Sequence, residues 1–204
     1  RRGIGVRAEE RGLLALLDGA EFVAAFLGAM RLGAIPVPVN PLLPGRYLGL
    51  VAAKSRVRVA VVASERAAAL ADLVEGAPEL ADVVLAGDRP AEDRVGARLH
   101  RWDELARGAA DVPPHPTWAD SPGFWLCTSG TTGQPKLAMH RQVDLRTTAE
   151  GFAQEVLGIT PSDRCYSVAP LIHAYGLGNS LGFPLSVGAA AVLEPTRPPS
   201  PSLV

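Results

Sequence analysis

Residues 11–39 read RGLLALLDGAEFVAAFLGAMRLGAIPVPV. The opening stretch, 11–17, is an apolar run of strand length and reads as a buried strand. Asp18 follows with Glu21 three residues on, a pairing of the capping-box kind that starts a helix. Phe22, Ala25, Phe26, Ala29 and Met30 then recur at helical spacing through Arg31, and Gly33 stops the helix. Residues 35–39 are apolar again. Pro36 and Pro38 lack the N–H that a central strand needs, so this is an edge or irregular strand.

Outward from this unit the alternation continues. A turn at Asn40-Pro41 leads to a helix over 45–54 and a strand over 58–63; a helix over 65–73 leads to a strand over 83–86. Strands alternating with helices of this length make an α/β fold with a mainly parallel sheet. Parallel strands are covered on both faces and read as continuous apolar runs, as these do. Residues 87–120 change character. Charge and proline dominate, with Pro113, Pro114 and Pro116, and the segment reads as a surface connection carrying one short helix over 102–107. Beyond it the pattern predicts a strand over 124–127, a helix over 142–156 closed by Gly158, a strand over 166–169, a helix over 175–185 and a strand over 189–193. The chain therefore divides into a first βαβ unit over 1–108, a proline-rich connection over 109–120, a second α/β unit over 121–196 and a Pro/Ser-rich tail over 197–204.

In the 204-residue chain, 20 basic and 21 acidic side chains leave a formal net charge of −1. That balance argues against a nucleic-acid binder held mainly by phosphate contacts and against a polybasic membrane-surface protein. Hydrophobic residues at 48% exclude a disordered chain, and 5% aromatic residues leave the core to Ala, Val and Leu. Two cysteines, Cys127 and Cys165, supply neither a disulfide framework nor a four-thiolate zinc site; they read as reduced thiols of a cytoplasmic protein. The four histidines show no metal-ligand spacing, so no metal site is expected from them. Residues 165–193 hold no Asp, Glu, Lys or Arg, a stretch longer than the roughly 20 residues a membrane helix needs. Pro170, Pro184, His173, Asn179 and four glycines break it into strand, helix and strand, so no membrane span is predicted. No secretory signal is visible. With Arg at position 1 and a Pro/Ser run at the other end, the chain reads as a piece of a longer protein. Only Lys54 and Lys136 are lysines among the 20 basic residues, which singles both out.

Lys136 closes the run that carries the chemistry: Thr128-Ser129-Gly130-Thr131-Thr132-Gly133-Gln134-Pro135-Lys136, directly after a strand. Glycines let the backbone approach an anion closely, and successive N–H groups form a concave anion site. The hydroxyls add rotatable donors and the lysine a full charge. Each charge-assisted hydrogen bond is worth roughly 1.5–3 kcal/mol, so a handful hold a polyphosphate. The alternative is a plain Ser/Thr/Gly surface loop. Its place at a strand's C-terminal end, where α/β sheets bind ligands, argues against that. The run is not a Walker A loop, because Gly133 comes three residues after Gly130 and the lysine is flanked by Pro135 and Leu137. No G-x-G-x-x-G follows the first strand either.

The string TSGTTGQPK resembles, over all of 128–136, the phosphate-binding signature of the AMP-forming adenylating enzymes: acyl- and aryl-CoA synthetases, luciferases and the adenylation domains of peptide synthetases. A second stretch, Pro170-Leu171-Ile172-His173-Ala174-Tyr175-Gly176-Leu177-Gly178-Asn179, is similar to the family segment that lines the acyl pocket. Together with Phe183-Pro184-Leu185-Ser186-Val187-Gly188-Ala189 it looks most like benzoate-CoA ligases. Residues 13–43 look like the family's first βαβ unit, and the resemblance is weakest over 87–120.

The resemblance implies part of a large N-terminal domain with mainly parallel sheets and flanking helices. It implies an enzyme that joins an aromatic carboxylate to ATP, releasing pyrophosphate, after which coenzyme A or a carrier-protein thiol displaces AMP. Donors on the β and γ oxygens stabilise the leaving charge. By that resemblance Thr128, Ser129, Gly130, Thr131, Thr132, Gly133 and Lys136 hold the phosphates, with Lys136 and His173 as the catalytic residues. His173, Ala174, Tyr175 and Gly176 meet the aryl acid, His173 by donating to its carboxylate. The plainer readings are a structural histidine at a turn and ordinary helix packing for Tyr175. His140 reads as structural, and His100 and His115 as solvent-exposed. Leu137 stands where the family has glycine, adding a β-carbon at the loop's exit. The adenine-binding strand, the Thr-Glu magnesium motif, the ribose-binding aspartate and the distal catalytic lysine have no match. The Mg2+ ligand thus falls outside this chain, and the chain alone is expected not to adenylate. The rival readings are an adenylation domain that loads an aryl acid onto a carrier protein, and a non-catalytic remnant of the fold.

Overall fold

The computed structural model describes residues 4–88, 96–108, 111–128 and 135–196. In chain order its elements are β1 (Arg11–Ala15), α1 (Ala20–Arg31), β2 (Ile35–Pro38), α2 (Gly45–Ser55), β3 (Val57–Ala63), a 3-10 turn (Ser64–Ala69) running into α3 (Leu70–Glu75), β4 (Asp82–Ala86), β5 (Arg98–Arg101) and α4 (Trp102–Gly108). Then come β6 (Pro122–Thr128), β7 (Lys136–Arg141), α5 (Gln142–Thr148), a π-helical turn (Ala149–Gln154), β8 (Arg164–Cys165), α6 (Ala174–Leu177), a second π-helical turn (Gly178–Gly182), α7 (Phe183–Val187) and β9 (Ala190–Ala191).

The first five strands form one parallel sheet in the order β2-β1-β3-β4-β5. Successive side chains on a strand point to opposite faces, and the apolar runs supply both. Leu13, Ala15, Ala60 and Val62 join Leu48, Val51, Leu70 and Leu73 in a core beneath α2 and α3. Leu14, Leu16, Val59 and Val61 join Phe22 and Phe26 of α1 in a second core on the other face. That second core also takes in Phe124, Leu126, Leu171, Leu177 and Leu181, so it draws on residues both before and after the proline-rich connection. The connection is itself fastened: His115 donates its backbone N–H to the Arg31 carbonyl at 2.9 Å. Gly33 ends α1 at φ +72°, with no room for a β-carbon beneath the His115 ring.

The prolines of β2 fit because of strand alternation. Ile35 and Val39 donate to the carbonyls of Glu10 and Leu14 on the β1 side, at 2.8 and 2.9 Å. Pro36 and Pro38 take the intervening positions, whose N–H groups face away from β1. The strand sits at the edge of this sheet, as the prolines require.

Several expectations need correction. Asp18 and Glu21 do not form a capping box: Gly19 is the N-cap of α1, without a side-chain cap hydrogen bond. The Asp18 carboxylate is 4% exposed and accepts the Leu171 N–H at 3.1 Å with each oxygen, so it ties the end of β1 to a segment 153 residues away. β5 was not expected. It borders the sheet and carries only one large apolar residue, Leu99; what fastens it is Asp82, 2% exposed, which holds Arg98 at 2.7 Å and His100 at 2.8 Å. His100 is therefore half-buried and paired rather than solvent-exposed.

The expected strand–loop–helix after residue 124 is a strand–loop–strand–helix, because β7 pairs antiparallel with β6 before α5 begins. The helix expected over 142–156 changes register at Ala149. That over 175–185 becomes α6, a π-helical turn and α7, with Pro184 at the start of α7, where its missing N–H costs no helical bond. Residues 166–169 form no strand; the pairing is confined to β8 and β9, two residues each. The segment 197–204 lies outside the described residues.

Candidate functional site

The two described ends of the 128–136 run face each other. Thr128 is the last residue of β6 and Lys136 the first of β7, and they are cross-strand partners in the hairpin register. Directly opposite residues in an antiparallel pair hold their β-carbons about 5 Å apart. Ser129, Gly130, Thr131, Thr132 and Gly133, expected to hold phosphates, lie outside the described residues. Alternation along the hairpin separates its faces. Phe124 and Leu126 enter the second core, whereas Trp125, Cys127 and Leu137 pack against the first. The β-carbon that Leu137 adds is thus turned onto the core, on the opposite face from Lys136.

Three chain segments meet beside Thr128. A cleft of about 180 Å³ is lined by Val39 and Asn40 at the C-terminal end of β2, by Tyr47 of α2, by Cys127 and Thr128 of β6, and by Ile172 and His173. Thr128 and His173, expected in one site, share this cleft. A neighbouring cavity of about 260 Å³ lies between Asp18, Asn40, Pro41, Pro170 and Ile172. The Asp18–Leu171 bonds hold the 170–173 turn against this end of the sheet. C-terminal ends of parallel strands are where open α/β sheets take ligands.

His173 precedes α6 in an extended conformation, its carbonyl accepting the Leu177 N–H at 2.8 Å. Its side chain is exposed, as are Ala174 and Tyr175. Tyr175 is 65% exposed, so helix packing does not account for it. Gly176 is buried, and a β-carbon there would overlap the carbonyl oxygens of Ala169 and Pro170; its smallness lets α6 approach the turn. His140 stacks on Phe124 with ring centroids 4.6 Å apart and lies 3.3 Å from Asp144. Burial raises the Asp144 carboxyl, but backbone and side-chain hydrogen bonds from Arg141 more than offset that and keep it below the ordinary carboxylate range. Burial pushes the Cys127 thiol up to about 11, so it stays protonated at neutral pH and is no nucleophile.

From sequence Asn40 reads only as part of a turn and Cys127 only as a reduced thiol, and nothing there singles out Tyr47; the turn at Asn40-Pro41 marks the C-terminal end of β2. Among the described residues no group of three His, Cys, Asp or Glu is placed to hold a metal ion. Nor is any helix among them long and apolar enough to cross a membrane.

This architecture, a parallel sheet with flanking helices whose strand ends meet a hairpin, is that of the adenylate-forming CoA ligases. The solved anthranilate CoA ligase AuaEII in complex with anthranoyl-AMP matches with a TM-score of 0.88 at 32% identity, over 95% of this chain and 36% of that one. A benzoate CoA ligase from Burkholderia xenovorans LB400 matches with a TM-score of 0.81 at 35% identity, over 95% of this chain and 37% of that one. The AMP-binding enzyme family profile matches residues 1–204, and the chain belongs to that family. Benzoate–CoA ligase of Thauera aromatica is 40% identical over 198 residues, covering 97% of this chain and 36% of the relative. The 4-hydroxybenzoate–CoA/benzoate–CoA ligase of Rhodopseudomonas palustris is 35% identical over 200 residues, covering 98% and 36%. The chain thus spans little more than a third of the length of these relatives.

Proposed function

We propose that this chain supplies the phosphate-binding hairpin and part of the acyl pocket for ATP-dependent activation of an aromatic carboxylate of the benzoate class. The carboxylate oxygen bonds to the α-phosphorus, the bond from that phosphorus to the bridging oxygen breaks, and pyrophosphate leaves. The thiol of coenzyme A then displaces AMP from the acyl carbon. The observation that carries the reading is the convergence of Thr128, at the mouth of the hairpin, with His173 on one cleft. Lys136 meets the β and γ oxygens of ATP from across the hairpin, where a full charge stabilises the departing pyrophosphate. Ser129, Gly130, Thr131, Thr132 and Gly133 complete that cradle. The imidazole of His173 donates to the carboxylate. Ala174 and Tyr175, both exposed, offer a flat wall to the aromatic ring, and Gly176 brings that wall close to the turn. Among the described residues no cluster of His, Cys, Asp or Glu is placed to hold Mg2+. Coenzyme A is favoured over a carrier-protein thiol because the relatives at 40% and 35% identity are CoA ligases.

The test is a chimera in which this chain replaces the matching 36% of the Thauera aromatica benzoate–CoA ligase. Folding is verified by circular dichroism, and benzoate-dependent ATP–pyrophosphate exchange is then measured. Exchange should appear and fall at least about tenfold in Lys136→Met and in His173→Ala, the cost of one charge-assisted contact. A folded chimera that prefers a fatty acid over benzoate contradicts the substrate class. The chain by itself should catalyse no exchange, and measurable exchange by it contradicts that part of the reading.

A further inference from the structure

α2 reaches both arms of the β6–β7 hairpin. Tyr47, near its start, shares the cleft wall with Thr128. Lys54, in its last turn, donates from Nζ to the carbonyl of Pro135 at 2.6 Å, across 81 residues of chain. Pro135 is buried and immediately precedes Lys136, which stands opposite Thr128. Proline has no N–H, so its carbonyl is the only main-chain group by which a polar partner grips this residue. Elsewhere the hairpin rests on the first core through apolar side chains, Trp125, Cys127 and Leu137. A charge-assisted hydrogen bond is directional and roughly twice as strong as a neutral one, so it fixes position where apolar contact alone permits sliding. Among the described residues Lys54 forms no ion pair with an acidic side chain. Its ammonium is committed to the hairpin.

We infer that Lys54 is a positioning residue: by holding the Pro135 carbonyl it sets where β7 begins, and hence where the Lys136 ammonium stands relative to Thr128. The inference rests on the phosphate-site reading of Lys136. A cation in the last turn of a helix also favours the helix dipole, and the test has to separate that purely helical role from the positioning one.

Two measurements on the full chain do so, with Lys54→Met and Lys54→Arg. Amide hydrogen exchange compares residues 136–139 with β1 and with α2, and calorimetry follows binding of inorganic pyrophosphate. Lys54→Met should speed exchange over 136–139 about tenfold while leaving β1 unchanged. It should weaken pyrophosphate about five- to tenfold, and Lys54→Arg, which keeps a cationic donor, should stay within about twofold on both counts. Unchanged exchange over 136–139 in Lys54→Met overturns the inference, as does a change confined to α2. So does an unchanged pyrophosphate affinity when the wild-type chain binds. If the wild-type chain binds no pyrophosphate, the phosphate-site reading fails instead, and faster exchange over 136–139 still supports Lys54 as the pin of β7.

Discussion

The sheet of β1–β5 and the region from β6 to β9 are built on different terms. In the first, strands run four to seven residues; β1 to β4 are buried on both faces between α1, α2 and α3, and β5 borders them only half-buried. In the second, β8 and β9 have two residues each, and two helices shift register through π-helical turns. The residues with candidate chemistry, Thr128, Lys136, His173 and Tyr175, all lie in the second. Apolar side chains of the second region enter both cores of the first, and among these contacts stand three tie-points: Phe26 against Phe124 at 5.5 Å, Asp18 to Leu171, and Lys54 to Pro135. The lesson is a division of labour. The long-stranded sheet encloses two apolar cores, and the candidate residues are set against it by side chains of those cores and by two polar ties.

The largest expected effect comes from the apolar tie-point. Phe26→Ala removes a fully buried ring and should cost about 3–5 kcal/mol in urea unfolding. If the two regions share one core, tryptophan fluorescence from Trp102 and from Trp125, each isolated in a single-tryptophan background, should report the same shifted midpoint. A shift in Trp125 alone breaks the comparison by making the regions independent. Asp18→Ala leaves the Leu171 N–H without that acceptor and should cost about 1.5–3 kcal/mol. Faster hydrogen exchange at 171–173, with β3 unaffected, is the matching readout.

Asp82→Asn probes the sheet's own edge. Its partners Arg58 and Arg98 are well exposed, so the expected loss is about 1–2 kcal/mol rather than that of a fully buried pair. Burial raises the Asp82 carboxyl, yet hydrogen bonds and charge from Arg98 and His100 bring it below the ordinary carboxylate range. A lowered folded value means that the stability it confers is present at neutral pH and lost as pH falls through that value. Wild type and Asp82→Asn should therefore differ at pH 7 and converge in acid, as followed by urea midpoints across pH. The smallest effect belongs to His140→Ala, which removes the stack on Phe124 and should cost about 0.5–1.5 kcal/mol without altering β1–β5.

The same contrast explains what was legible in sequence. The runs at 11–17, 58–63 and 83–86 announced parallel strands because burial on both faces makes them continuously apolar. The strands β5 and β7 escaped notice because neither is buried that way. RLHR is fastened by Asp82 through charge, and KLAMHR is a mostly exposed hairpin arm whose pairing depends on β6. Asp18 was read locally as a helix cap, yet its partner is far along the chain, and no local pattern encodes that. The signature at 128–136 was legible only as a candidate: its residue types are those an anion site uses, and 129–134 lie outside the described residues. That Thr128 and His173 line one cleft, and that Lys54 touches Pro135, are consequences of packing α2 and the 170–173 turn around the hairpin.

The most direct test of the central claim is calorimetric titration of the chain and of its Lys136→Met variant with inorganic pyrophosphate at two salt concentrations. Binding that weakens with salt, and between about tenfold and a hundredfold further in Lys136→Met, is predicted from the loss of one charge-assisted contact. Absent binding, or equal affinity in the two proteins, would contradict the assignment of the hairpin mouth as a polyphosphate site.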